Sequence, residues 1–213
     1  MKGKIKEFII KNLKWIILFI CLIGFFALAE DVFNKELMNG DIIGYKIVST
    51  FLISDFATPI AKFVTNFGGA IFLIVLTIVL VILIKNKKIG ISIFSNLVII
   101  TILNQLIKRI LQRPRPTEYR IIEETGYSFP SGHSMVSMAF YGYLIYLIYK
   151  YVKNKYLKWI SIVLLSILIC SIGVSRIYLG VHYTSDVLGG FLLSISYLVI
   201  YISAVNKFLI KDK

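Results

Sequence analysis

The sequence predicts an all-α protein: six membrane-spanning helices in one bundle, with both termini in the cytoplasm. Three observations carry that prediction. Apolar residues fill 58% of the 213 positions and charged residues only 16%, against roughly 25% charged in soluble domains. The apolar residues are gathered into six long uncharged stretches. The 24 basic and 11 acidic residues fall unequally on alternate sides of those stretches, the asymmetry expected of a multi-pass membrane protein. A soluble globule of this composition would leave much apolar surface in water, and a disordered or fibrous chain would lack such stretches, so these classes are excluded. The net charge of +13 would point to nucleic acid in a soluble domain. Here it is carried by short lysine clusters between apolar runs, so the expected partner is the bilayer and no nucleic acid.

A helix crosses the hydrocarbon core in about 20 apolar residues, with a range of about 17–25. The uncharged stretches place spans at about 12–29, 65–84, 89–108, 131–149, 158–175 and 184–206. The first reaches full length because Lys11 and Lys14 can snorkel from its inner end. Ala27-Leu28-Ala29 has the small-residue form of a signal-peptidase site, but the segment is expected to remain as a span. Residues 31–64 carry apolar residues at mixed spacing, interrupted by Lys46, Asp55, Pro59 and Lys62. They are expected to form one or two interfacial helices on the outer leaflet, covering the bundle or guiding a lipid.

With the N-terminus inside, the inner segments hold 15 basic residues, among them Lys85, Lys87, Lys88, Lys150, Lys153, Lys207, Lys211 and Lys213, against only Glu7 and Asp212. The outer segments hold nine acids and all five arginines. Trp15 and Trp159 mark the inner interface, and Tyr119, Tyr127, Tyr178 and Tyr183 an outer aromatic belt. Cys21 and Cys170 lie in apolar runs without metal-ligand spacing and are expected to be buried, inert thiols. Asn104 and Gln105 are expected to bond between helices, and Gly189-Gly190 to permit close packing. No internal repeat divides the chain, so residues 1–213 are expected to form a single domain.

Three polar clusters fall at the outer ends of these spans. Lys108-Arg109 closes the third and runs into Arg113-Pro114-Arg115-Pro116. Phe129-Pro130-Ser131-Gly132-His133 opens the fourth. Ser175-Arg176 closes the fifth, and His182 and Asp186 open the sixth. Topology therefore brings distant segments to one face. Pro130 suits a helix start, where Ser131 and Gly132 would present backbone donors to an anion. Lys108, Arg115 and Arg176 add cations suited to phosphate oxygens, and the abundant anion at a membrane surface is a lipid phosphate.

His182 and Asp186, four apart, share a helix face. A carboxylate on one ring nitrogen fixes the tautomer and frees the other as a nucleophile, while His133 at the pocket edge is placed to donate a proton. The set describes metal-free phosphoryl transfer. The structural alternative for His182–Asp186 is a polar pair locking two helices, although ionisable residues near a span are functional by default. Arg109 reads as an interfacial anchor. Arg113 would contact either a second phosphate or the headgroup layer, and Glu118, Arg120, Glu123 and Glu124 would form a solvated loop or shape the entrance to the site.

These residues resemble the type 2 phosphatidic acid phosphatase family, whose signature has three parts. Lys, six residues, Arg-Pro is matched by Lys108 and Arg115-Pro116. Pro-Ser-Gly-His is matched by Pro130-Ser131-Gly132-His133. Ser-Arg, five residues, His, three residues, Asp is matched by Ser175-Arg176, His182 and Asp186. The resemblance implies a six-helix bundle of the kind shared with haloperoxidases. It implies His182 as nucleophile, Asp186 as its orienting group and His133 as general acid and base. Lys108, Arg115, Ser131, Gly132 and Arg176 would cradle the phosphate, with no metal and no cofactor. The implied activity is a lipid phosphatase acting at the outer surface of a cell membrane on undecaprenyl pyrophosphate, phosphatidylglycerol phosphate or phosphatidic acid. The alternatives are a vanadate-dependent haloperoxidase-like enzyme, which six spans disfavour, and a non-catalytic lipid or anion transporter. Transporters of that sort hold polar groups near the bilayer midplane, whereas here they gather at one end.

Overall fold

The computed structural model describes residues 2–36 and 38–210; Lys211, Asp212 and Lys213, counted above among the inner charges, lie outside the described residues. Among the described residues there are only helices and connections: α1 (Lys2–Phe33), α2 (Asn39–Phe51), α3 (Ala57–Asn66), α4 (Ala70–Leu83), α5 (Lys87–Leu111), α6 (Gly132–Tyr151), α7 (Lys155–Tyr178) and α8 (Thr184–Phe208). Several boundaries follow from local chemistry. Asn86 and Asn154 accept backbone N–H groups at the starts of α5 and α7, satisfying donors that a helix start leaves unpaired. Gln112 ends α5 in the left-handed conformation with φ 46°.

Among the described residues, four helical segments are long and apolar enough to cross a membrane: Lys11–Phe33, Lys87–Leu111, Lys155–Tyr178 and Thr184–Phe208. A fifth becomes possible when α3 and α4, bent by 49°, count as one broken span. This corrects the continuous span expected over 65–84. Helix α4 has only 14 residues, too few to cross alone, and Gly68-Gly69 separates it from α3. A Cβ on Gly68 would lie 2.8 Å from both Ile172 Cγ2 and Ser137 Oγ, so the chain passes too close to α6 and α7 for any side chain. The stretch expected to be interfacial holds α2 and most of α3.

Helix α6 is 20 residues long yet falls outside the apolar set. Its surroundings give the reason. It packs against α5, α7 and α8, and no residue of it before Tyr149 is exposed. A helix enclosed by other helices can carry Ser134, Ser137, Tyr141 and Tyr143 where a lipid-facing helix cannot. Outer helices show the opposite pattern, with Phe19, Ile20, Ile23 and Phe26 of α1 all exposed. Around α6 the core is filled by Leu73, Ile93, Phe140 and Ile172.

The close packing expected at Gly189-Gly190 is present: a Cβ on Gly189 would lie 2.7 Å from the Phe129 ring, and one on Gly190 3.2 Å from the Ser131 carbonyl. Asn104 joins helices through Pro130 O at 3.2 Å. Cys21 is buried, but Cys170 is exposed, because its place on α7 faces outward. Of the tyrosines assigned to the belt, Tyr178 is buried and Tyr183 half-buried. The Tyr178 hydroxyl, buried, bonds Ser54 and Thr58, and the Tyr183 ring lies 4.1 Å from the Arg113 guanidinium carbon.

Candidate active site

The C-terminal ends of α5 and α7, the N-terminal ends of α6 and α8 and the 112–131 connection meet at one end of the bundle. The three clusters that lie apart in sequence therefore share one place. A cavity of about 470 Å³ there is lined by Lys108, Arg115, Glu124, Gly132, His133 and His182, and continues past Leu73, Ile74 and Leu97 between α4 and α5.

His182 is nearly buried, and its two ring nitrogens face opposite charges. Nδ1 lies 3.2 Å from Asp186 Oδ2, and Nε2 lies 2.9 Å from Arg115 Nη1. A guanidinium only donates, so Nε2 is the acceptor and the proton belongs on Nδ1, directed at the carboxylate. This is the tautomer a nucleophilic Nε2 needs. Burial pushes the His182 pKa down to about 4; Arg115 and Arg176 act with it, and the bond to Asp186 opposes it. The ring is therefore neutral at neutral pH.

Asp186 is fully buried and saturated with donors. Oδ2 also accepts from the Tyr183 N–H at 2.8 Å and from the Ser128 hydroxyl, and Oδ1 accepts from Arg113 Nη1 at 2.7 Å. Arg113, expected to meet a second phosphate or the headgroup layer, is not among the residues lining the cavity and forms buried ion pairs with Asp186 and Asp41. Burial disfavours its charge, yet these two carboxylates raise its pKa above the ordinary value.

The cations expected around the cavity divide by role. Arg115 lines it and is anchored by the Thr125, Gly126 and Val181 carbonyls; burial lowers its pKa. Lys108 lines it too, with Nζ donating to the Tyr127 and Ser128 carbonyls. Arg176 is 1% exposed, donating to Thr65 Oγ1 at 2.8 Å and Glu124 Oε2 at 2.5 Å, while its buried Nε has no partner. Such a donor is costly to leave unpaired, although Arg176 is not among the residues lining the cavity. Glu124 is thus no solvated loop residue. Burial works against its charge, but Arg176 holds its carboxyl below the usual carboxylate range.

Gly132 and His133 occupy the first two positions of α6 and line the cavity. A Cβ on Gly132 would meet Asn104 Oδ1 at 3.2 Å, so glycine lets α5 close in. His133 lies beside the α3–α4 break, where a Cβ on Gly68 would sit 3.2 Å from its Cδ2. Ser131 departs from expectation. Its hydroxyl caps α6 by accepting from Ser134 N, and its N–H is spent on the Asp186 carbonyl at 3.0 Å. Ser131 is fully buried and is not among the residues lining the cavity. Sequence reasoning missed Ser128, Asp41, Thr65, Glu124 and Gly68; none stands at a signature position, and only their neighbours in space reveal them.

Residues 89–210, more than half of the chain, match the model described as the PAP2 superfamily. The chain is 38% identical over 96 residues to the phosphatidylglycerophosphatase B of Bacillus subtilis (strain 168), covering 44% of this chain and 47% of that protein, so it spans about half that relative's length. It is 29% identical over 182 residues to the undecaprenyl-diphosphatase of Sulfolobus acidocaldarius, covering 82% of this chain and 80% of that one. Among solved structures, the transmembrane PAP2-type phosphatidylglycerolphosphate phosphatase from Bacillus subtilis superposes with a TM-score of 0.79 at 24% identity, over 90% of this chain and 96% of that one. At that identity the likeness concerns the fold, which is the all-helical fold described above. Signature, site geometry and family match agree: the chain belongs to the PAP2 superfamily.

Proposed function

We propose that the chain is an integral membrane lipid phosphatase that cleaves a phosphomonoester or pyrophosphate from a lipid headgroup through a covalent phosphohistidine. The single observation that carries this reading is the His182 ring, held by Asp186 at Nδ1 and presenting Nε2 to Arg115 in a cavity shared with His133.

The phosphate is held by Arg115, Lys108 and the Gly132 N–H, all from residues that line the cavity, with Arg176 behind them offering its unpartnered Nε. On entering, it replaces His182 as the partner of Arg115 and so uncovers Nε2. Nε2 attacks phosphorus in line; the bond from phosphorus to the leaving oxygen breaks, and His133 protonates that oxygen. His133, now neutral, takes a proton from water. The resulting hydroxide attacks phosphorus, the P–N bond breaks, and inorganic phosphate leaves with His182 neutral again. Asp186 balances the positive charge that the ring carries while phosphorylated. The lipid chain follows the apolar extension between α4 and α5 into the bilayer.

In this reading residues 1–213 form one domain crossing the membrane six times. Helix α6 and the broken α3–α4 pair count as spans, both termini are cytoplasmic, and the site opens on the extracytoplasmic side. The lysine distribution supports that orientation. The substrate is a lipid phosphate such as undecaprenyl pyrophosphate, phosphatidylglycerol phosphate or phosphatidic acid; the first two accord with the relatives' names. The test is phosphate release from these three lipids in mixed micelles and liposomes. Wild type releases phosphate from at least one, and His182→Ala from none; release by His182→Ala would remove the nucleophile.

A further inference from the structure

The two arginines of Arg113-Pro114-Arg115-Pro116 grip the His182–Asp186 pair from opposite ends: Arg115 Nη1 at His182 Nε2, 2.9 Å, and Arg113 Nη1 at Asp186 Oδ1, 2.7 Å. Only Arg115 belongs to the signature. We propose that Arg113 and Asp41 are positioning residues for this pair, and that Asp41 makes helix α2 a working part of the active site. The inference rests on the phosphohistidine reading and deepens it.

A fully buried carboxylate keeps its charge only when a cation and hydrogen bonds compensate it. Arg113 is the cation in contact with Asp186, and it is itself buried with little room to move. Its other arm, Nη2, donates to Asp41 Oδ2 at 2.7 Å, so the planar fork is fixed between two carboxylates. A lysine could not bridge them in this way. Asp41 does more than hold the arginine. Its Oδ1 accepts the Ser185 N–H at 2.7 Å, and its Oδ2 accepts the Ser185 hydroxyl at 2.9 Å. Ser185 is the second residue of α8, the helix that carries Asp186. A carboxylate from α2 thus caps the start of α8 from outside, which suits the positive end of a helix. Through Asp41 and Arg113, the placement of α2 sets the placement of Asp186, and Asp186 sets the proton on His182 Nδ1. The groups facing His182 are Asp186, Arg115, Arg176 and the Ser128 hydroxyl; those facing Arg113 are Asp41, Asp186, Ser185 and the Tyr183 ring.

The test uses the full chain in detergent–lipid micelles with phosphatidic acid, or whichever of the three lipids the wild type cleaves, as probe. Asp41→Asn and Arg113→Gln are compared with wild type and His182→Ala, and thermal unfolding monitors folding. Asp41→Asn is expected to lower kcat by roughly 10–100-fold, the range for groups that orient a functional imidazole from behind, with KM unchanged. Arg113→Gln is expected to move the acid limb of kcat/KM to higher pH, because Asp186 without its cation holds the His182 proton more tightly. A mere tie between α2 and α8 would cost activity only in step with lost folded protein and leave the limb in place. The proposal is overturned if folded Asp41→Asn keeps the wild-type kcat, or if the limb of Arg113→Gln does not move. Should Arg113→Gln fail to fold, Asp41→Asn decides alone. An inactive wild type, or an active His182→Ala, would instead defeat the phosphatase reading itself.

Discussion

His182 holds Nδ1 against a carboxylate that accepts its proton and Nε2 against a guanidinium that can only donate, which leaves the Nε2 lone pair available on a neutral ring. With its pKa pushed down to about 4 by burial, the ring stays neutral across the interval in which an ordinary histidine, near 6.5, would protonate. The acid limb of kcat/KM is therefore expected below 6.5, towards 4, and steady-state rates across a pH series check it. A limb at or above the ordinary histidine value would show that Nε2 is not shielded as described. His133 gives a proton to the leaving oxygen in the proposed first step, so His133→Ala is expected to cost about 10²–10⁴-fold in kcat. The two histidines of the candidate site were legible in the sequence because the spacing from His182 to Asp186 fits one helix face and Pro-Ser-Gly-His fits a helix start. The second ring of contacts was not. Asp41 lies 145 positions before Asp186, and nothing in its neighbourhood distinguishes it from any first-turn aspartate. Glu124 reads as one more loop acid until Arg176 is found beside it.

At the scale of elements, helix ends do the assembling. Helices α5 and α7 deliver their cations by their C-terminal ends, and α6 and α8 offer N-terminal ends where anions are favoured. The break between α3 and α4 brings Gly68 against His133 and Ile172. Gly68→Ala is expected to destabilise the protein by about 1–3 kcal/mol, the usual cost of forcing a group into a packed interior. It should also lower turnover, because the displaced neighbours include the His133 ring. Gly40→Ala is the control: its Cβ would meet nothing within 4 Å, so it should be neutral or stabilise by about 0.4–1 kcal/mol. Melting curves and rates in the same detergent decide both. The break was invisible to a reading by hydropathy, since the apolar run crosses Gly68-Gly69 without a charge and the bend is imposed by packing against α6 and α7. The same reading found α6, whose length and lack of charge mark it as a span, but not that other helices enclose it.

For the whole molecule, the largest signal is the placing of 15 lysines in the segments read as inner and all five arginines in those read as outer, legible from their positions along the sequence and interpreted by the positive-inside rule. It predicts that a cysteine at position 118, in place of Glu118, reacts with a membrane-impermeant maleimide in intact cells, on a background lacking Cys21 and Cys170. One in place of Lys153 should react only after permeabilisation. The reverse pattern would invert the bundle and put the phosphatase site on the cytoplasmic side.

The most direct test of the account is to quench the enzyme during turnover of a ³²P-labelled lipid phosphate and locate any covalently bound phosphate. Phosphate attached to the His182 ring nitrogen, stable to base, released by acid and missing from His182→Ala, is the predicted result. Rapid turnover with no protein-bound phosphate, or with the label on another residue, would contradict it.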